Sequence, residues 1–168
     1  MIKIFEMNGN LKMKICDLLK KGNVFSSLKG ESKEEIINEL IDSFKGDEDV
    51  KDVEAVRKAV LEREKIMSTG VGKSFAIPHA KTNAVKEIIA AFGKTKEPVN
   101  FEALDGQPVR LVFLLVARED LVGPHIRLLS RISRMMNKDE FREALISADS
   151  EEEILKIFCD EEEKLGTV

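Results

Sequence analysis

The sequence predicts a single α/β domain with a mixed sheet and helices on its faces. Three observations carry this. Apolar residues at helical spacing fill the first third of the chain and return after Pro124, with strand-like runs between them. Val109 to Ala117 is nearly all apolar, the pattern of a central strand covered on both faces. The 168 residues contain no repeat, low-complexity segment or dividing linker, so they make one domain's worth of chain. A domain of that length buries roughly two-thirds of the surface its unfolded form exposes.

The elements follow in order. Residues 1–10 form a lead-in. Leu11 to Lys20 is a short amphipathic stretch with Ile15, Leu18 and Leu19 on one side, stopped by Gly22 and Asn23. Val24-Phe25 suits a short strand. Ser32-Lys33-Glu34-Glu35 has capping-box form, and Ile36, Ile37, Leu40, Ile41 and Phe44 follow at helical spacing. After the loop at Gly46 to Asp49, a third helix carries Val53, Val56 and Val60, with Arg63 near its end. Ser68 to Gly72 is rich in turn residues, and Phe75-Ala76-Ile77 is an apolar run ended by Pro78. Ile88 to Phe92 reads as a strand, Asp105-Gly106 as a turn, and Val109 to Ala117 as the central strand. Pro124 fits a first helical position, with Ile126, Leu129, Ile132 and Met136 as that helix's stripe. Ser150 to Glu153 is a second capping box, ahead of Ile154, Leu155, Ile157 and Phe158.

Composition excludes several functions. Lys plus Arg is 27 and Asp plus Glu is 31, a net charge of −4, which argues against a dedicated nucleic-acid binder. The longest apolar run, Leu111 to Ala117, is far too short to span a bilayer. Residues 1–10 lack the apolar stretch of an export signal. Cys16 and Cys159 lie near opposite ends of the chain and form no CxxC pair, which argues against a structural zinc site built on thiolates. Read as free thiols, they point to a cytoplasmic protein. With no Trp and no Tyr, the histidines His79 and His125 are the scarce polar rings.

Gly70-Val71-Gly72-Lys73-Ser74 has the outline of a phosphate-binding P-loop and fails both of its tests. Met67 stands where the motif needs its first glycine, and Phe75 to Pro78 follows where it needs a helix. The glycines suit a tight turn whose N–H groups form an anion nest. His79 follows Pro78 at a strand end, and a neutral imidazole is a good nucleophile at cytoplasmic pH. His125 falls just inside a helix, where unpaired N–H groups and a partial positive charge favour an anion. Arg63 suits phosphoryl oxygens, against a plainer reading as an exposed residue paired with Glu62 or Glu64.

Together these residues resemble a known segment. Arg63-Glu64-Lys65, Ser68-Thr69-Gly70, Gly72 and Ala76-Ile77-Pro78-His79-Ala80 are similar to the active-site segment of enzyme IIA. The type is the mannitol/fructose IIA of the bacterial phosphoenolpyruvate-dependent sugar phosphotransferase system. Leu104 to Val109, Leu111 to Val116, His125 to Leu129, Phe141 to Leu145 and Ser150 to Ile154 extend the resemblance over residues 11–160, leaving 161–168 as a tail. Phe75, where an aliphatic residue is expected, and Pro124, where related chains often carry a small polar one, depart from the pattern.

The resemblance implies a sandwich with a mixed, roughly five-stranded sheet. It implies that His79 accepts a phosphoryl group from the histidine phosphocarrier protein (HPr) and passes it to a IIB domain. His125 would orient His79 or steady the phosphoryl group, and Arg63 would neutralise charge. Ser68, Thr69, Gly70, Gly72 and Pro78 would form the binding loop. No metal, nucleotide or other cofactor is implied. Phe75, Val71, Phe101 and Leu121 are candidates for an apolar rim that a docked partner covers. The resemblance spans two functions, a carrier in sugar uptake and a nitrogen-type regulator that binds partners according to its phosphorylation. Which imidazole nitrogen reacts stays open in the sequence.

Overall fold

The computed structural model describes residues 6–7, 10–11 and 13–165. Strands β1 (Glu6–Met7) and β2 (Asn10–Leu11) form a small ladder of their own. Then come helix α1 (Ile15–Leu18), strand β3 (Val24–Leu28) and helices α2 (Lys33–Asp42) and α3 (Val53–Ile66). Strands β4 (Gly70–Gly72), β5 (Phe75–Ala76), β6 (His79–Lys81), β7 (Ile89–Val99) and β8 (Val109–Ala117) follow. Helices α4 (Val122–Met136), α5 (Asp139–Ser147) and α6 (Glu151–Leu165) close the chain.

The main sheet runs β3-β7-β8-β5-β4, with β6 also on β8. It is mixed: β7 and β8 are antiparallel, whereas β3 lies parallel to β7, and both β5 and β6 lie parallel to β8. The two short strands sit end to end along one edge of β8. Phe75 pairs with Leu111 and His79 with Leu115. Six strands therefore fill five positions, which reconciles the observed sheet with the five-stranded expectation. Pro78 marks the break between them, because it has no N–H for the ladder, though its carbonyl still accepts from Leu115 N–H at 3.0 Å.

β8 is the centre of the sandwich, as its composition predicts. Leu111, Phe113, Leu115 and Ala117 face a core shared with α1, α4, α5 and α6. Val112, Leu114 and Val116 face a second core under α2 and α3. Phe158 anchors the first core, with its ring centroid 4.9 Å from that of Phe92 and 5.3 Å from that of Phe141, both edge-on. Three helix starts are capped by side chains. Ser32 accepts from Glu35 N–H, Asp52 from Glu54 and Ala55, and Ser150 from Glu153.

Several boundaries differ from the sequence reading. The amphipathic stretch at 11–20 yields a single turn, α1, whose first N–H groups donate to Glu162 (2.7 Å from Ile15, 3.0 Å from Cys16). β7 runs on past Phe92 to Val99. Gly93 sits within it because Leu28 fills its Cβ position to within 2.4 Å. α4 begins at Val122, so Pro124 is its third residue rather than its first, where a helix N–H needs no partner anyway. α6 extends to Leu165, with Glu161 and Glu162 buried, so a tail boundary at residue 160 cuts through a helix. The lead-in at 1–10 lies mostly outside the described residues.

The free-thiol reading is corrected. Cys16 on α1 and Cys159 on α6 are joined as a disulfide, with Cα atoms 5.1 Å apart. Sequence distance concealed the pairing because α1 packs directly on α6. Among the described residues, no helix is long and apolar enough to cross a membrane.

Candidate active site

His79 opens β6, at the end of the sheet where β8 and its parallel neighbours finish, the usual position of α/β sites. Its Nδ1 lies 2.7 Å from Ile77 O. A carbonyl only accepts, so Nδ1 carries the proton and Nε2 keeps the lone pair. Half-burial pushes the imidazole below its ordinary pKa; the Ile77 carbonyl opposes this, Arg63 adds to it and Glu64 opposes it.

His125 comes to it from the first turn of α4. The ring centroids are 5.6 Å apart, although 46 residues separate the two positions (125 − 79). The buried face of α4 is His125, Leu128, Ile132, Met135 and Met136. That phase differs from the predicted stripe. It points His125 at the sheet and leaves Ile126, at 59% exposure, in solvent. His125 is pushed down to about 4, chiefly by burial, then by His79 and Lys81. Both rings are therefore neutral at physiological pH, and His125 Nδ1 has no hydrogen-bond partner among the described residues.

Arg63 stands in the last turn of α3, which packs beside β6. Nη1 donates to Met67 O at 3.1 Å, and the guanidinium makes no ion pair among the described residues. The plainer reading, a pair with Glu62 or Glu64, is not what the fold builds. Glu64 instead points inward. Its carboxylate lies 2.8 Å from Lys33 Nζ and accepts from Thr69 N–H at 3.0 Å and Thr69 Oγ1–H at 2.5 Å. In the sequence Glu64 looks like one more solvent charge on a charged helix. The available signal was its spacing, since Val56, Val60 and Glu64 continue one buried stripe.

The predicted loop residues hold the loop together. Ser68 Oγ donates to Phe101 O at 2.6 Å and accepts from Gly70 N–H at 3.1 Å. Thr69 gives both of its donors to Glu64. Gly70 lies against Ala103, where an added Cβ would stand 2.9 Å from that residue's Cβ. Ser68, Thr69 and the Gly70 amide thus have internal partners, so the anion-nest expectation does not describe them. Gly72 (φ +106°) enters a two-residue turn made by Lys73 and Ser74, both with positive φ, which joins antiparallel β4 and β5. A strand follows Ser74, so no P-loop is present. Pro78 ends the loop and sets His79 at the strand start.

The apolar rim is also different. Phe75 and Phe101 are core residues, Leu121 is half-buried, and of the four candidates only Val71 is exposed. Among the described residues, the exposed large apolar side chains are Ile66 (80%), Met67, Val71, Leu104, Val122 and Ile126. Ile66 and Met67 adjoin Arg63 at the end of α3, Val122 and Ile126 share α4 with His125, and Val71 and Leu104 lie together at β4.

Known proteins are similar to this chain in sequence and fold. The family profile described as phosphoenolpyruvate-dependent sugar phosphotransferase system, EIIA 2, matches residues 17–161. The fructose-specific EIIABC component of Bacillus subtilis (strain 168) is 39% identical over 145 residues, which are 86% of this chain and 23% of that protein. The chain thus spans about a quarter of that relative's length. The crystal structure of nitrogen regulatory protein IIA-Ntr from Neisseria meningitidis superposes with a TM-score of 0.81 at 33% identity, covering 86% of this chain and 98% of that one. The Escherichia coli complex of mannitol enzyme IIA with phosphorylated enzyme IIB matches at a TM-score of 0.73 and 25% identity, over 85% and 99% of the two chains. Sequence and fold agree, and the chain belongs to the EIIA 2 family of the phosphoenolpyruvate-dependent sugar phosphotransferase system.

Proposed function

We propose that the chain is a phosphohistidine carrier in sugar uptake, with His79 Nε2 as the atom that takes the phosphoryl group. The observation that carries this is the 2.7 Å contact of His79 Nδ1 with Ile77 O, which leaves Nε2 unprotonated at the mouth of the sheet. In the transfer, the Nε2 lone pair attacks the phosphorus of a phosphohistidine on HPr. The N–P bond of the donor breaks, its electron pair stays on the donor imidazole, and a new N–P bond forms on His79. No proton leaves His79, because Nδ1–H stays on the carbonyl. The reverse geometry delivers the group to a cysteine or histidine of a IIB partner.

The step exchanges one phosphoramidate bond for another or for a thiophosphate, so positioning and charge stabilisation are what it asks of the protein. Arg63 has no ion pair among the described residues and meets the phosphoryl charge. A neutral His125 has an N–H to offer, and the first turn of α4 adds unpaired amides. The exposed apolar groups near Arg63 and His125 suit a docked partner that excludes water during transfer. A phosphoenolpyruvate-driven donor chain supports a cytoplasmic setting; the cysteines, joined as a disulfide, do not.

A regulatory reading is the alternative. It is favoured by the match to IIA-Ntr across 98% of that chain. A phosphoryl group adds close to two negative charges, enough to change which partner binds. Incubation with phosphoenolpyruvate, the system's first enzyme and HPr tests the shared chemistry. Wild type is expected to take up acid-labile phosphate and His79→Ala none. Normal labelling of His79→Ala would refute the assignment. Phosphate passing on to a IIB partner separates transport from regulation.

A further inference from the structure

Glu64 is a buried carboxylate in the last turn of α3 that the transfer itself does not use. Its partners lead to the nucleophile. Glu64 accepts from the N–H and the hydroxyl of Thr69, at 3.0 and 2.5 Å. The Thr69 carbonyl accepts from Ile77 N–H at 3.0 Å. The Ile77 carbonyl receives His79 Nδ1–H at 2.7 Å. At the other end Lys33, the first residue of α2, grips Glu64 at 2.8 Å, and its Nζ lies 3.4 Å from Phe101 O. That carbonyl also receives the Ser68 hydroxyl. The path from α2 through α3 and the loop to the imidazole is unbroken.

Its chemistry is directional. A carboxylate accepting two bonds from one residue fixes both the position and the tilt of that residue, and charge-assisted bonds are the strong ones. Thr69 is buried, so nothing in solvent replaces what Glu64 gives it. Ile77, the residue that follows Thr69 in the path, has its carbonyl aimed at His79, and that carbonyl selects which ring nitrogen holds the proton. We propose that Glu64 is a positioning residue for phosphoryl transfer: through Thr69 and Ile77 it holds His79 in the Nδ1–H tautomer and aims Nε2 at the incoming phosphorus. Lys33 anchors it from α2. The proposal rests on the reading of His79 as the acceptor. It also gives Thr69 a role in orientation, since neither of its donors is free for an anion.

The test compares wild type, Glu64→Gln, Thr69→Val and Thr69→Ser. Nitrogen-15 NMR of the His79 ring reports the tautomer, the initial rate of phosphate uptake from phosphorylated HPr reports transfer, and the unfolding temperature reports stability. Thr69→Val keeps shape and loses the hydroxyl; Thr69→Ser keeps the hydroxyl. Glu64→Gln and Thr69→Val are expected to show mixed His79 tautomers and rates lowered roughly ten-fold or more, the scale of a small misplacement of a reacting group. Thr69→Ser is expected to retain the wild-type tautomer and rate. Wild-type tautomer and rate in Glu64→Gln and Thr69→Val, whatever their unfolding temperatures, would reduce the network to a structural one and overturn the proposal. If Glu64→Gln does not fold, the two Thr69 variants decide. Mixed tautomers in the variants, with no phosphate on wild type, would sink the carrier reading and leave the control of the ring standing.

Discussion

An imidazole is a nucleophile at whichever nitrogen lacks a proton, so the partner of the other nitrogen decides the chemistry. In this protein Ile77 O makes that decision for His79. His125 is its neutral neighbour, and its burial has a consequence for stability. With its pKa held at about 4, below the ordinary 6.5, His125 resists protonation in the fold. Above about pH 6.5 the ring is neutral in both folded and unfolded chains, and its contribution is intact. As pH falls from 6.5 towards 4 the unfolded chain takes up a proton that the fold refuses, and stability declines. The expected loss is on the order of 2 kcal/mol after allowing for the nearby His79 and Lys81 charges. Denaturant titrations at pH 7 and pH 4.5 check it. The stability difference between the two pH values should shrink in His125→Gln, and an equal difference in both proteins would contradict the burial argument. At this scale the sequence was legible for His79, His125 and Arg63, because rare residue types beside Pro and Gly are conspicuous. Glu64 was not, because a glutamate on a charged helix looks like solvent charge until its place on the Val56–Val60 stripe is noticed.

The β4–β5 hairpin shows why local pattern misleads at the scale of elements. Gly70 to Ser74 has the outline of a phosphate loop, yet it folds as a tight turn with Lys73 at φ +53° and Ser74 at φ +69°. Such turns favour Asn-Gly, and side chains with a Cβ are strained there. Ser74→Gly should therefore stabilise the protein by about 1 kcal/mol, read as a higher denaturant midpoint with an unchanged slope. Unchanged or lower stability would show that Ser74 makes a compensating contact. The helix α4 teaches the same lesson in phase. Residues 126, 129, 132 and 136 and residues 125, 128, 132 and 136 both have helical spacing. Packing on β8 chose the second set, the one that contains a histidine. Apolar pattern alone ranks Ile126 ahead of His125 for the core. Strands were easier: the bounds of β8 coincide with the apolar run Val109 to Ala117, because both of its faces are covered.

Across the whole molecule, the ends of the chain are tied together. Cys16 and Cys159 are 143 residues apart, and Glu162 and Arg131 reinforce the same junction: Arg131 donates to Met13 O and Glu162. A crosslink over so long a loop removes unfolded-chain entropy worth about 5 kcal/mol. Reductant should lower the unfolding temperature by about 10 °C or more while the fold persists. Unfolding temperatures that match with and without reductant, with thiols shown free by mass spectrometry, would mean that the crosslink adds nothing. The sequence could not show this junction, since no short-range spacing encodes a contact between α1 and α6. It did carry the layer order, because helices, strands and helices in succession leave few ways to cover a central apolar strand. The proposed carrier holds phosphate on Nε2 of His79 while Nδ1 stays protonated on Ile77 O. The most direct measurement is nitrogen-15 and phosphorus-31 NMR of the phosphorylated protein. One phosphorus resonance coupled to His79 Nε2, with the Nδ1 proton retained, is the expected result. Phosphorus on Nδ1, or on any other residue, would contradict it.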